Sequence, residues 1–157
     1  MADTLKLPVG VDNFEKIRRN RFYYIDKTKL IEQLVEMGGE VTLFTRPRRF
    51  GKTLGMSTLE CFLDIQKDSQ SLFDGLEISK QRNICDEWMN KWPVMSLSLK
   101  AVEGNDFSTA YMQLVYEVGE LYKKHEYLME SSALNEEEKK QAKKDMGAML
   151  DYIDKLN

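Results

Sequence analysis

Apolar side chains return at helical spacing along much of the chain. Leu30, Ile31, Leu34 and Val35 mark one helix, with Asp26 where an N-cap belongs and Gly38-Gly39 as its stop. Leu54, Met56, Leu59, Phe62 and Leu63 give a second helix, over about residues 52–67, a buried face that places Met56 and Phe62 in the core. Gly55 is unusual inside a helix and is explained by close packing of the first turn against a sheet. A short helix capped by Ser79 runs to about Met89; Trp88 and Trp92 cover apolar surface, and Pro93 breaks the run. Tyr111, Leu114, Val115, Val118, Leu121 and Tyr122 form a later stripe, with Asn105 or Asp106 as cap. Asn135 and three glutamates open a last helix, finished by Met146, Met149, Leu150, Ile153 and Leu156. Its charge run, with pairs such as Glu136–Lys140, is a solvated face.

Between these helices lie β-favouring runs at 22–25, 41–45 and 94–99. A strand, a helical crossover and a second strand predict a parallel pair with a right-handed connection. Residues 1–21 read as an irregular arm in which Phe14 and Ile17 are spaced to pack, and 68–79 as a polar connection pinned by Leu72, Phe73, Leu76 and Ile78.

The chemistry concentrates at Arg46-Pro47-Arg48-Arg49-Phe50-Gly51-Lys52-Thr53-Leu54. A strand, a glycine-bearing loop and Gly-Lys-Thr at a helix mouth is the layout of a phosphate-binding loop. The first amides of a helix lack internal partners and carry the positive end of its dipole, so a polyphosphate can accept from them. Gly51 lets the backbone approach a phosphate. Lys52 places an ammonium on the β- and γ-phosphates, and Thr53 offers a hydroxyl to Mg²⁺. The general pattern wants glycine where Arg46 stands. Arg46, Arg48 and Arg49 instead bring guanidinium groups, which grip phosphate in a bidentate way. The bland alternatives are an ordinary helix start and a solvated basic loop.

The run from Phe44 to Leu54 resembles the signature of the bacterial AAA-ATPase-like P-loop family, where an R-P-R-R-F-G-K-[ST] loop also lacks the first glycine. Leu7-Pro8-Val9-Gly10 with Phe14, Tyr24-Ile25-Asp26-Lys27-Thr28, Leu72-Phe73-Asp74-Gly75-Leu76 and Pro93-Val94-Met95-Ser96-Leu97-Ser98 extend the resemblance over about residues 5–125. It implies an α/β fold: a P-loop NTPase-like parallel sheet with flanking helices, its core incomplete, in which 22–157 is the N-terminal portion of an AAA-like ATPase domain. It implies ATP and Mg²⁺ as ligands, with Arg46, Arg48, Arg49, Phe50, Gly51, Lys52, Thr53 and Leu54 around the nucleotide, Lys52 in the catalytic role and Thr53 on the metal. Asp26-Lys27-Thr28 reads either as a capped helix start or as a group near base or ribose.

A hydrolysing P-loop enzyme also needs a carboxylate at the end of another strand. Residues 94–99 end in Lys100, while Asp64 and Asp151 fall in helical patterns. The family's acidic strand motif is expected beyond residue 157, as is a restriction-nuclease-like domain. A short sheet would leave an unpaired edge through which copies can associate. The second reading is an interaction module whose arginines hold nucleic-acid phosphates, with steep salt dependence and no response to ATP. A small-molecule phosphotransferase would need a substrate lid and an acidic base, and neither is visible. The absence of an Asn-Lys-x-Asp motif tilts the base preference towards adenine.

Composition changes this little. The chain has 157 residues, 42% apolar and 31% charged, with net charge −3, which argues against nucleic acid as the partner of the whole surface. No apolar run is long enough for a membrane span and no leader pattern opens the chain, so a cytoplasmic location is the default expectation. Cys61 and Cys85 read as reduced residues, and with His125 as the sole histidine a zinc site is not expected.

Overall fold

The computed structural model describes residues 6–45, 47 and 50–154, with side chains through Asp145. It divides into two compact units, residues 1–94 and 95–157.

The first unit begins with α1 (Phe14–Arg19), whose N-cap Asn13 accepts from the Lys16 amide. It ends in a Schellman turn: Phe22 N–H donates to the Ile17 carbonyl and Arg21 N–H to that of Arg18. Arg21 occupies the left-handed position at φ 51°, where glycine is usual. Helix α2 spans Lys29–Met37 and stops at Gly38 in the left-handed conformation, as the Gly-Gly pair predicts. Helix α3 spans Lys52–Leu63, four residues shorter than its apolar pattern suggests, because Asp64 turns to extended backbone. Two 3₁₀ turns, Gln70–Phe73 and Glu77–Lys80, lead to α4 (Arg82–Trp88). Ser79 lies inside the second turn and donates to the Leu76 carbonyl, so it does not cap α4.

The core of this unit gathers Phe14, Ile31, Cys61, Phe62, Leu72, Phe73, Leu76 and Ile78. The anchors predicted for the 68–79 connection are all buried. Phe73 is the centre, with its ring 4.8 Å from that of Phe14 and 5.3 Å from that of Phe62. Trp88 packs on this core and stacks with Trp92 at 5.1 Å. Cys61 and Cys85 are both free. Asn90, at φ 55°, ties the far end of α3 down by donating to the carbonyls of Cys61 and Asp64.

Among the described residues the parallel sheet is not formed. The described residues contain helices and two isolated parallel bridges, Lys6 to Phe22 and Asp64 to Trp92. The runs 41–45 and 94–98 carry no strand pairing. A strand is stable only through a ladder partner and a covered face. Within the first unit 41–45 has neither, and Val41 and Leu43 are 89% and 82% exposed. The α/β expectation is therefore corrected to a helical architecture, and association through an open sheet edge loses its basis among these residues. Gly55 needs a new reason too. A Cβ there would meet only Leu30 Cδ2, at 3.9 Å, so α2 rather than a sheet is the neighbour.

The second unit holds α5 (Phe107–Lys124), a 3₁₀ turn Glu126–Glu130, and α6 (Glu136–Asp154). Asp106 caps α5 by accepting from the Thr109 amide. Asn135 and Glu138 form a reciprocal capping box at the start of α6, each accepting from the other's amide at 2.8 Å. On the charged face Glu136 pairs with Lys139, at 3.5 Å. The predicted apolar finish of α6, from Met146 through Met149, Leu150, Ile153 and Leu156, lies outside the described side chains.

Candidate functional site

The opening of α3 is shaped as the sequence requires at one decisive residue. Gly51 is the N-cap at φ 75°, ψ 25°, a conformation that costs a side-chain-bearing residue strain. With no side chain at the cap, no side chain of its own closes the turn, and the helix's first internal bond runs from Gly55 N–H to the Gly51 carbonyl at 2.8 Å. The first turn carries no acidic residue to oppose an anion. Phe50, Lys52 and Thr53 are exposed there, and Leu54 is half-buried on the core. Arg46, Arg48 and Arg49 lie outside the described residues.

Directly beside this turn is a cavity of about 690 Å³. Lys52, Gly55, Met56 and Leu59 line it, one face of α3 at spacings of three and four. Met56 is thus not core: it is 54% exposed on this wall, while Cys61 and Phe62 are buried in the interior. Tyr23, Tyr24 and Ile25, with Leu30 and Gln33 of α2, also line it. The Lys6–Phe22 bridge, with Tyr23 N–H donating to the Lys6 carbonyl at 2.8 Å, lays Leu7 and Pro8 along the lip. Tyr24 is held by a hydrogen bond with the Thr58 hydroxyl and an edge contact to Phe14, and burial pushes its phenol above the usual range. No carboxylate is among the lining residues, whereas Lys27, Lys29 and Lys52 are.

The Asp26-Lys27-Thr28 trio divides between its two readings. Thr28, not Asp26, precedes α2 as its N-cap. Asp26 Oδ1 accepts from the Thr28 amide and hydroxyl, its Oδ2 accepts from the Glu77 amide, and Thr28 Oγ1 accepts from the Ile78 amide. Both residues are a clamp that fastens the 76–78 turn, and only Lys27 faces the cavity. Burial works against the Asp26 charge, but the bonds from Thr28 and Glu77 outweigh it and hold the carboxyl below its usual range. Asp26→Asn tests this. Both carboxylate oxygens accept, so an amide must turn a donor towards a donor, at a cost of about 1 kcal/mol at neutral pH. A folded-state pKa that is depressed gives stability present above the unfolded value and lost as pH falls through the folded one. Urea unfolding of the two proteins should therefore differ at pH 7, and the gap should shrink only as pH falls below the usual carboxyl value of about 3.9 and through the depressed folded one; a gap that stays constant across that range refutes the clamp.

A metal has little to hold it. Among the described residues no group of three histidine, cysteine or acidic side chains is placed to bind an ion. Asp64 is buried at the far end of α3, about 18 Å from Lys52 at 1.5 Å per residue. The Thr53 hydroxyl suits Mg²⁺ only if phosphates supply other ligands. The described residues also hold no helix long and apolar enough to cross a membrane. Gly-Lys-Thr marked where α3 opens, at Lys52 after a left-handed Gly51; the cavity beside it was not legible. Its one available signal was the 52, 55, 56, 59 spacing, a second stripe on a helix that is apolar nearly all round.

The sequence profile of the AAA-ATPase-like family, described as "Predicted AAA-ATPase", matches residues 8–156. An "Uncharacterized protein in vnfD 5'region" of Azotobacter chroococcum mcd 1 is 38% identical over 94 residues, 59% of this chain. The match covers 17% of that relative's length. No solved structure matches.

Proposed function

This chain belongs to the predicted AAA-ATPase family, and from that membership we propose that it binds a nucleoside triphosphate, ATP before GTP, at the opening of α3. One observation carries the proposal: a left-handed Gly51 followed by exposed Lys52 and Thr53, at the edge of a cavity lined by lysines and no acid. The turn's outward amides and dipole favour the phosphates. Lys52 neutralises the β- and γ-phosphates, and Thr53 helps hold a Mg²⁺ that arrives with the nucleotide. When bound, that ion supplies charge neutralisation between phosphate oxygens. Arg46, Arg48 and Arg49 add cationic charge to the same loop. The assignment is one of binding; hydrolysis would need a carboxylate that orients water, and none lines this cavity.

Calorimetric titration with ATP and with GTP, each with and without Mg²⁺, tests it. ATP should bind more tightly than GTP, and Mg²⁺ should strengthen the binding. Absence of heat with either nucleotide under both conditions would end the proposal.

A further inference from the structure

We propose that Cys61 and Lys67 are a modification site, joined by oxidant into a covalent Sγ–O–Nζ link at the end of α3 away from the phosphate turn. The link needs no nucleotide. Three side chains meet there. Lys67 Nζ lies 3.8 Å from Cys61 Sγ and donates to Glu60 Oε1 at 2.8 Å. Cys61 is 1% exposed, whereas the Lys67 and Glu60 side chains reach solvent, at 27% and 22%. The thiol sulfur also accepts from the Glu15 amide. The Cys61 carbonyl accepts from Ser69 Oγ and Asn90 Nδ2, so the backbone that carries the sulfur is tied down beside the amine. Lysine's flexible stem lets the nitrogen close the remaining gap around one oxygen.

At rest the pair is quiet. Burial pushes the Cys61 thiol up, and the Lys67 charge only partly opposes it. Burial also works against the Lys67 charge, but the bond to Glu60 outweighs it and holds the ammonium above its usual range. Buried sulfur of this kind resists bulky reagents. Hydrogen peroxide is close to water in size, and the partly open Lys67 side gives it a way in. It supplies both the oxygen and the oxidising power. One peroxide takes the thiol to a sulfenic acid, S–H becoming S–OH, and one water leaves. Glu60 accepts the Lys67 proton and passes it to solvent. A second peroxide takes the neutral amine to a hydroxylamine, N–H becoming N–OH, and a second water leaves. The two hydroxyls condense with loss of a third water, which closes S–O–N. Sulfur and nitrogen each give up two electrons, and the two peroxides accept all four. The bond fastens the last turn of α3 to the turn that follows it. A dithiol that returns the four electrons restores both side chains and releases the oxygen as water.

Peroxide treatment of the full chain, stopped with catalase and read by mass spectrometry without reductant, tests the link. Met56 is 54% exposed and shares a tryptic peptide with Cys61, so its sulfoxide gauges the dose. At a dose that converts Met56, a peptide running 53–80 should appear, because trypsin no longer cuts after a bridged Lys67. Beyond the Met56 oxygen it should carry one further oxygen and two fewer hydrogens. Dithiothreitol should remove that change and restore the cut, while the sulfoxide stays. Cys61→Ser should lose the product. Lys67→Arg keeps a cation for Glu60 but offers no primary amine, so it should lose the two-hydrogen signature with far-UV circular dichroism unchanged; it carries the test if Cys61→Ser does not fold. Oxygen on Cys61 with the cut after Lys67 intact overturns the proposal. So does an unmodified Cys61 beside a fully oxidised Met56, or a two-hydrogen loss without oxygen, the mark of a disulfide to Cys85.

Discussion

Lys52→Ala lowers ATP affinity by two to three orders of magnitude, with far-UV circular dichroism and thermal midpoint at wild-type values. The size follows from what the ammonium does. A hydrogen bond between charged groups contributes up to about 3 kcal/mol, and a unit charge pair 4 Å apart at a surface-like dielectric about 4 kcal/mol. At about 1.4 kcal/mol per decade those bounds give the stated range. The fold should survive because Lys52 is exposed in the first turn of α3, and alanine is the better helix former. Lys52→Arg separates charge from shape: it keeps the cation but replaces a compact ammonium with a planar fork, so partial binding is expected. Titration calorimetry reads all three proteins. An unchanged affinity in Lys52→Ala would mean that ATP binds elsewhere or that the amides suffice, and the role given to this residue would be withdrawn.

How much of this was legible beforehand depended on the range of the forces involved. Helix ends were readable because a cap is a local device: Gly38 closes α2 and Asp106 opens α5 where the sequence places them. Gly51 was readable for the same reason, since a left-handed turn before Lys-Thr is a requirement on one residue. The buried anchors Leu72, Phe73, Leu76 and Ile78 were readable because apolar residues in a polar stretch have few places to go. Sheet formation was not. Val41 to Thr45 has the composition of a strand, but composition says nothing of whether a partner lies alongside, and none of the described residues pairs with it. The same limit misplaced Met56. With apolar residues around most of α3, only the positions of α1 and α2 decide which face is interior and which lines the cavity. The Asp26–Thr28 clamp was hidden because its partners, Glu77 and Ile78, lie about fifty residues away.

That dependence on distant packing makes Phe73 the residue whose loss costs the fold most. Phe73→Ala is expected to destabilise the first unit by about 3–5 kcal/mol, the usual cost of emptying a buried phenylalanine site. The ring is fully buried between those of Phe14 and Phe62, so its removal opens a void shared by α1 and α3 rather than a surface dent. Small domains are stable by only about 5–15 kcal/mol, so the loss is a large share of the total. The chain's two tryptophans, Trp88 and Trp92, both lie in this unit, and their fluorescence therefore reports its unfolding. With a urea slope of about 1–3 kcal/mol per molar, the midpoint should fall by about 1 M or more. Phe107→Ala is the control: that ring is 83% exposed in the second unit, and the tryptophan-detected midpoint should stay put. The consequence reaches the site, because Phe14 also supports Tyr24 on the cavity wall. Phe73→Ala should lose ATP binding at urea concentrations where wild type keeps it. A midpoint shift equal to that of Phe107→Ala would show that Phe73 is not the hub these contacts make it.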